Sequence, residues 1–192
     1  SAQPGYGFPI DKQWKLKNDI SSYPRLITPN TLHTAIYNMG LDEMVNAVEP
    51  DTTLRTGREW AGVWTRDVSY SILLSMAYMQ PEATRASLMR KVNANGVIVQ
   101  DTGSGGAWPV SSDREIWALA AYEYYKVTGD RKWLEYIYPI IKKSLADDAL
   151  TVMSDNGLVK GETSFIDWRE QSHPKCCLLY TSPSPRDVEE SR

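Results

Sequence analysis

Apolar residues recur at helical spacing through most of the chain. In "PNTLHTAIYNMGLDEMVNAVEP", Leu32, Ile36, Met39, Met44, Val45 and Val48 form a 3.6-residue stripe, which predicts a helix ended by Pro50. A second helix is expected from about Asp67 to Met79, on Val68, Ile72, Leu73 and Met76. Pro81 opens a third, "PEATRASLMRKV", with proline in the first turn. Ile116, Ala120, Tyr124 and Val127 line one face of "DREIWALAAYEYYKVTGD"; Ser111 or Ser112 is placed to cap it and Gly129 to stop it. A fifth pattern, "RKWLEYIYPIIKKSLADDALTVM", carries Trp133, Ile137, Ile140, Ile141 and Leu145, and its internal Pro139 is expected to kink or interrupt the helix.

Between these stripes the pattern breaks down. Residues 1–29 are polar, hold Pro4, Pro9, Pro24 and Pro29, and read as an irregular lead-in. Residues 51–64 read as a loop, and "NANGVIVQDTGSGGAWPV" as a longer one with a short strand at 97–100. "DNGLVKG" suggests a turn and a short strand, and "ETSFIDWREQSHP" a loop that begins a new element. Helices joined by alternating short and long loops stack as α-hairpins, which puts the long loops at one end of the array. Those loops hold Trp64, Trp108 and Trp168. The expected class is all-α, with strands minor.

Composition agrees with a folded domain: 192 residues, 42% apolar and 23% charged. A net charge of −3 supplies no basic field for nucleic acid. No run approaches the roughly 18 apolar residues of a membrane span. Seven tryptophans and eleven tyrosines stand against two phenylalanines. Flat rings with a polar edge suit a core beside a wet groove, although each could be ordinary core.

The end of the chain reads differently. "CLLYTSPSPRD", Cys177 to Asp187, resembles the in-frame translation of a transposase sequencing adapter at every position. A tail of this origin would remove the Cys176–Cys177 pair from any argument about disulfides, metal or redox compartment. The expected organisation is a lead-in over 1–29, a partial helical domain over 30–176 and a non-native tail over 177–192. The alternative is a natural Ser/Pro-rich tail. With no initiator methionine, a removed leader and export to the periplasm or beyond stay open, as does the oligomeric state.

Three segments could carry chemistry. In "VWTRD", the rigid fork of Arg66 and the acceptor oxygens of Asp67 could grip vicinal hydroxyls, with Trp60 or Trp64 stacked on a sugar face. The competing reading has Asp67 complementing a helix dipole and Arg66 in a surface pair. In "GSGGAWPVSSDREIW", glycines allow close backbone approach, Trp108 is stiffened by Pro109, and Asp113 and Glu115 sit at a helix start, where carboxylates are also favoured structurally. No Lys-Ser/Thr follows those glycines, so they form no phosphate loop. In "SFIDWREQSHP", Asp167, Arg169 and Glu170 surround Trp168; a carboxyl against an indole loses solvation and can stay protonated as a general acid. A solvated charge cluster is the alternative. His33 and His173 are far apart in sequence and make no metal set or triad, so neither metal nor cofactor is expected.

Taken in order, these segments resemble the six-hairpin glycosidases: glucoamylases and the debranching-type and trehalase-type enzymes. "WTRD" entering an apolar helix, "AWPVSSDREIWALAAYEYYKVTGDRKWLEYIYPIIKKSL" as the next hairpin, and "GLVKGETSFIDWREQ" as the acid-bearing segment span roughly 30–174. The resemblance implies an (α/α)6 barrel, of which this chain covers the first half, with the site in the loops at one end. It implies that Arg66 and Asp67 bind the terminal sugar and that Trp64 and Trp108 line its pocket; Trp60, Asp113, Trp168 and Arg169 are further candidate substrate contacts from the residues themselves. Asp167 is then the general acid. Glucoamylases place a Glu just after a Trp where Arg169 stands here, which leaves Glu170 as the second candidate.

The implied reaction is exo-acting hydrolysis with inversion. The base would come from later helices, so this length alone is expected to be inactive on its carbohydrate substrate. Two other classes stay open. A degenerate carbohydrate-binding member would keep the aromatic platform without a base. An (α/α)6 polysaccharide lyase would need groups suited to acidic sugars, which acidic loops repel.

Overall fold

The computed structural model describes residues 14–101 and 113–152. Two compact units divide the chain, 1–47 and 48–192. The division falls after Ala47, so the first helix belongs with the lead-in rather than with the helices that follow.

In the first unit, α1 runs Thr31–Asn46. Asn30 caps it, its Oδ1 accepting from the amides of Leu32 (3.0 Å) and His33 (3.4 Å). The predicted stripe is buried only toward its end: Leu32, Ile36 and Met39 are exposed, Met44 is buried and Val45 half-buried, and the buried face is completed by Leu41 and Asp42. The polar member explains the discrepancy. Asp42 Oδ1 accepts from the Asn18 amide (2.9 Å), Asn18 Nδ2 (2.7 Å) and the Lys17 amide (3.3 Å), so a carboxylate pins the irregular lead-in to the helix. An apolar count cannot see a face defined that way.

In the second unit, α2 (Thr65–Ser71) continues through a π-helical turn at Ile72–Met76 into α3 (Ala77–Met79). Pro81 then starts α4 (Pro81–Arg90), and α5 (Asp113–Thr128) and α6 (Arg131–Val152) follow. α5 packs against α2, α3, α4 and α6, and Trp117, Ala120 and Ala121 from it join Leu54, Val68, Ile72, Leu88, Ile98, Trp133 and Ile137 in the core. Two indole N–H groups are satisfied by backbone, Trp117 Nε1 on Leu88 O (3.0 Å) and Trp133 Nε1 on Ala121 O (2.9 Å). Gly129, at φ 66°, ends α5 and turns the chain into α6.

Two expectations are corrected here. α6 is not interrupted at Pro139, which lies on its exposed side while Trp133, Ile137, Ile140 and Ser144 are buried. Tertiary packing of that face outweighs one lost backbone bond. The strand expected at 97–100 is instead a single antiparallel bridge, Val92 with Ile98.

That bridge has a counterpart, Val48 with Leu54. The Leu54 amide donates to Ser87 Oγ of α4 (2.7 Å), and the Ile98 amide to Ser144 Oγ of α6 (2.9 Å). Each hydroxyl donates onward one turn back, to Ala83 O and Ile140 O. All four residues are buried, so each serine satisfies a loop amide that water cannot reach.

Along the outside, Tyr70, Leu74 and Tyr78 make an exposed apolar stripe on α2–α3, and Leu119 and Tyr122 another on α5. Among the described residues, no helix is long and apolar enough to cross a membrane.

Candidate functional site

The loop before α2 is folded tightly on itself. Gly57 and Trp60 exchange backbone hydrogen bonds (3.2 and 3.1 Å). Thr56 Oγ1 donates to Gly62 O (3.0 Å) and accepts from the Trp64 amide (3.1 Å). Gly62 at φ 82° makes the return that a side chain would resist. This fold stands Trp60 and Trp64 together, ring centroids 6.4 Å apart and edge to face, with Trp60 half exposed.

The chain then enters α2. The Thr65 amide donates to Asp101 Oδ2, and Thr65 Oγ1 to Val99 O (2.9 Å). Arg66, 20% exposed, reaches across to Asp113 at the start of α5, Nη1 to Oδ1 3.2 Å. Asp113 is wholly buried, and its Oδ2 accepts from the Asp101 amide (2.7 Å). Asp101 Oδ1 accepts from Lys91 Nζ (2.6 Å). Asp67 is exposed beside Arg66. Among the described residues, Arg66, Asp113, Asp101 and Lys91 are thus linked in series where the start of α2 meets the start of α5.

The structure pairs Trp60 with Trp64 and Arg66 with Asp113, the two pairs linked through the Trp64–Arg66 backbone, with Asp67 the next residue along. Arg66 thus pairs with a buried carboxylate rather than on the surface, while Asp67 does lie in the first turn of α2, where the helix dipole favours it. Trp108, Asp167, Trp168, Arg169 and Glu170 lie outside the described residues, as do Ser111, Ser112 and Cys176–Arg192. Thr56, Lys91 and Asp101 escape sequence reasoning. Asp101 sits alone ahead of a glycine run, and nothing in that context marks it.

One residue on, Arg114 makes a separate buried set. Its Nε donates to Ile98 O (3.0 Å) and its Nη1 to Ser144 O (3.2 Å) and Asp147 Oδ2 (2.9 Å), with a close ion pair to Asp148. Burial pushes the Asp148 carboxyl up from its ordinary value, against the pull of Arg114.

Glu115 is also raised, first by partial desolvation and then by the charges of Asp148 and Asp113, even though much of the residue is exposed. A carboxyl raised in the folded state binds its proton more tightly there, so its ionisation costs stability as pH rises above the unfolded value. Glu115→Gln is therefore expected to raise the melting temperature at pH 7. The gain should vanish by about pH 3, where both states are protonated. A gain that persists at low pH would contradict this origin.

Among the described residues there is no group of three or more His, Cys, Asp or Glu side chains arranged to hold a metal ion. Comparison of the chain with protein-family models, with curated proteins and with solved structures gives no match.

Proposed function

We propose that the chain is part of a glycoside hydrolase acting on uncharged oligo- or polysaccharides. The observation that carries the reading is the Trp60–Trp64 pair two positions ahead of an arginine whose guanidinium is fixed by a buried carboxylate, with the exposed Asp67 next in the chain. An indole face offers an apolar platform for the C–H side of a sugar. A fixed Arg fork and an Asp supply donor and acceptor for neighbouring hydroxyls at little further ordering cost.

Charge favours a neutral ligand. Arg66 is already paired with Asp113 and Lys91 with Asp101, and the exposed Asp67 follows Arg66 in the chain, so these pairs offer a uronate no surplus positive charge. This weighs against a lyase. In the inverting mechanism that the reading entails, Asp167 donates a proton to the leaving oxygen, with Glu170 as the second candidate. A base carboxylate about 6.5–9.5 Å away activates water on the opposite face. No residue of this chain is assigned as that base.

The test is binding. Linear glucose oligosaccharides titrated into the 192-residue chain should perturb tryptophan fluorescence. Trp64→Ala should weaken the interaction at least ~tenfold, about 1.4 kcal/mol. Tighter binding of an oligogalacturonate than of the neutral sugar would favour the lyase. Binding to neither would remove the carbohydrate reading. Sugar binding with no hydrolysis by any longer form of the protein would leave a binding module.

A further inference from the structure

We infer that Asp101, held in place by Lys91, is a positioning residue for the Trp64–Arg66 segment. The inference rests on the carbohydrate reading for its ligand, though not for its geometry. Asp101 reaches that segment by two routes. Its carboxylate accepts the Thr65 amide, which fixes the backbone between Trp64 and Arg66. Its own amide donates to Asp113 Oδ2, and the other oxygen of Asp113 holds Arg66.

The indole and the guanidinium, expected on different sides of one sugar, are thus both referenced to a single residue of a different loop. Lys91 completes the arrangement. Both partners are mostly buried, with 13% and 19% of their side chains exposed. Without the ammonium, Asp101 would be a second little-solvated carboxylate near Asp113, and its hold on the Thr65 amide would no longer be anchored from α4's end.

The experiment uses two readouts on the same chain. One is the rate of Arg66 modification by phenylglyoxal, mapped by peptide mass, which reports the freedom of the guanidinium with no ligand present. The other is the affinity for a linear glucose oligosaccharide. Asp101→Ala should accelerate Arg66 modification several-fold and weaken sugar binding about tenfold. Asp101→Asn keeps an acceptor for the Thr65 amide but loses the charge pair, so it should fall between; Lys91→Met should match it. Arg90→Ala removes the exposed pair with Asp51 nearby and should change neither readout.

Unchanged Arg66 modification in Asp101→Ala and Lys91→Met would overturn the inference, whatever the sugar does. Unaltered affinity in variants whose Arg66 has become reactive would overturn it too. Accelerated modification in a protein whose wild type binds no sugar would keep the positioning role and sink the carbohydrate reading alone. Should Asp101→Ala fail to fold, Asp101→Asn and Lys91→Met decide on the same criteria.

Discussion

Asp113→Ala is expected to cost about 3 kcal/mol of stability and to abolish measurable sugar binding. The side chain is fully buried, and its two oxygens serve different elements: Oδ1 the Arg66 guanidinium and Oδ2 the Asp101 amide. Truncation leaves a mostly buried cation without this counter-charge and a loop amide without its acceptor, two separate penalties. Asp113→Asn keeps an acceptor for the amide and should lose less. Urea unfolding of Asp113→Ala, Arg66→Met and the double variant isolates the pair. If the single effects simply add, Asp113 is not what holds Arg66, and the account of the site is wrong.

Arg114→Ala should be at least as damaging, about 3–5 kcal/mol at pH 7. It strips four acceptors at once: Ile98 O, Ser144 O and the carboxylates of Asp147 and Asp148. Asp148 is already raised by burial even with Arg114 beside it. In the variant it would be a buried charge without that partner. Its folded pKa then lies further above the unfolded value, so the penalty grows as pH rises through the carboxylate range and shrinks below pH ~3, where Asp148 is neutral in both states. Unfolding curves at the two pH values measure this; a deficit independent of pH would place the damage in packing, not charge.

The helices of the second unit were legible because their ends carry local signals: Pro81 at a first turn, Gly129 at a positive φ, and a stripe of Val68 and Ile72 that is in fact buried. Pro139 misled, since a proline's local cost says nothing about the face that faces the core. α1 misled for the opposite reason; its buried side is organised by Asp42, which an apolar pattern counts as solvent-facing. The site divided in the same way. Trp60, Trp64, Arg66 and Asp67 are legible as candidates because aromatic and charged residues crowd one short stretch. Asp113 was noticed, but as a candidate cap or ligand contact, because sequence shows a carboxylate at a helix start and not the arginine 47 positions earlier that it turns toward. Asp101 and Lys91 are ten positions apart, and only the closure of the Val92–Ile98 bridge brings them together.

The paired serine contacts under Leu54 and Ile98 turn the loops into rulers. Trp64 stands ten positions after Leu54, and Trp108 ten after Ile98; the same interval separates Leu158 from Trp168 in the sequence. In the described residues each loop is tied down at the ruler's zero mark, by Ser87 of α4 at Leu54 and by Ser144 of α6 at Ile98. Residues added to the chain beyond that mark leave the tie itself untouched, because both partners of each contact lie outside the lengthened stretch.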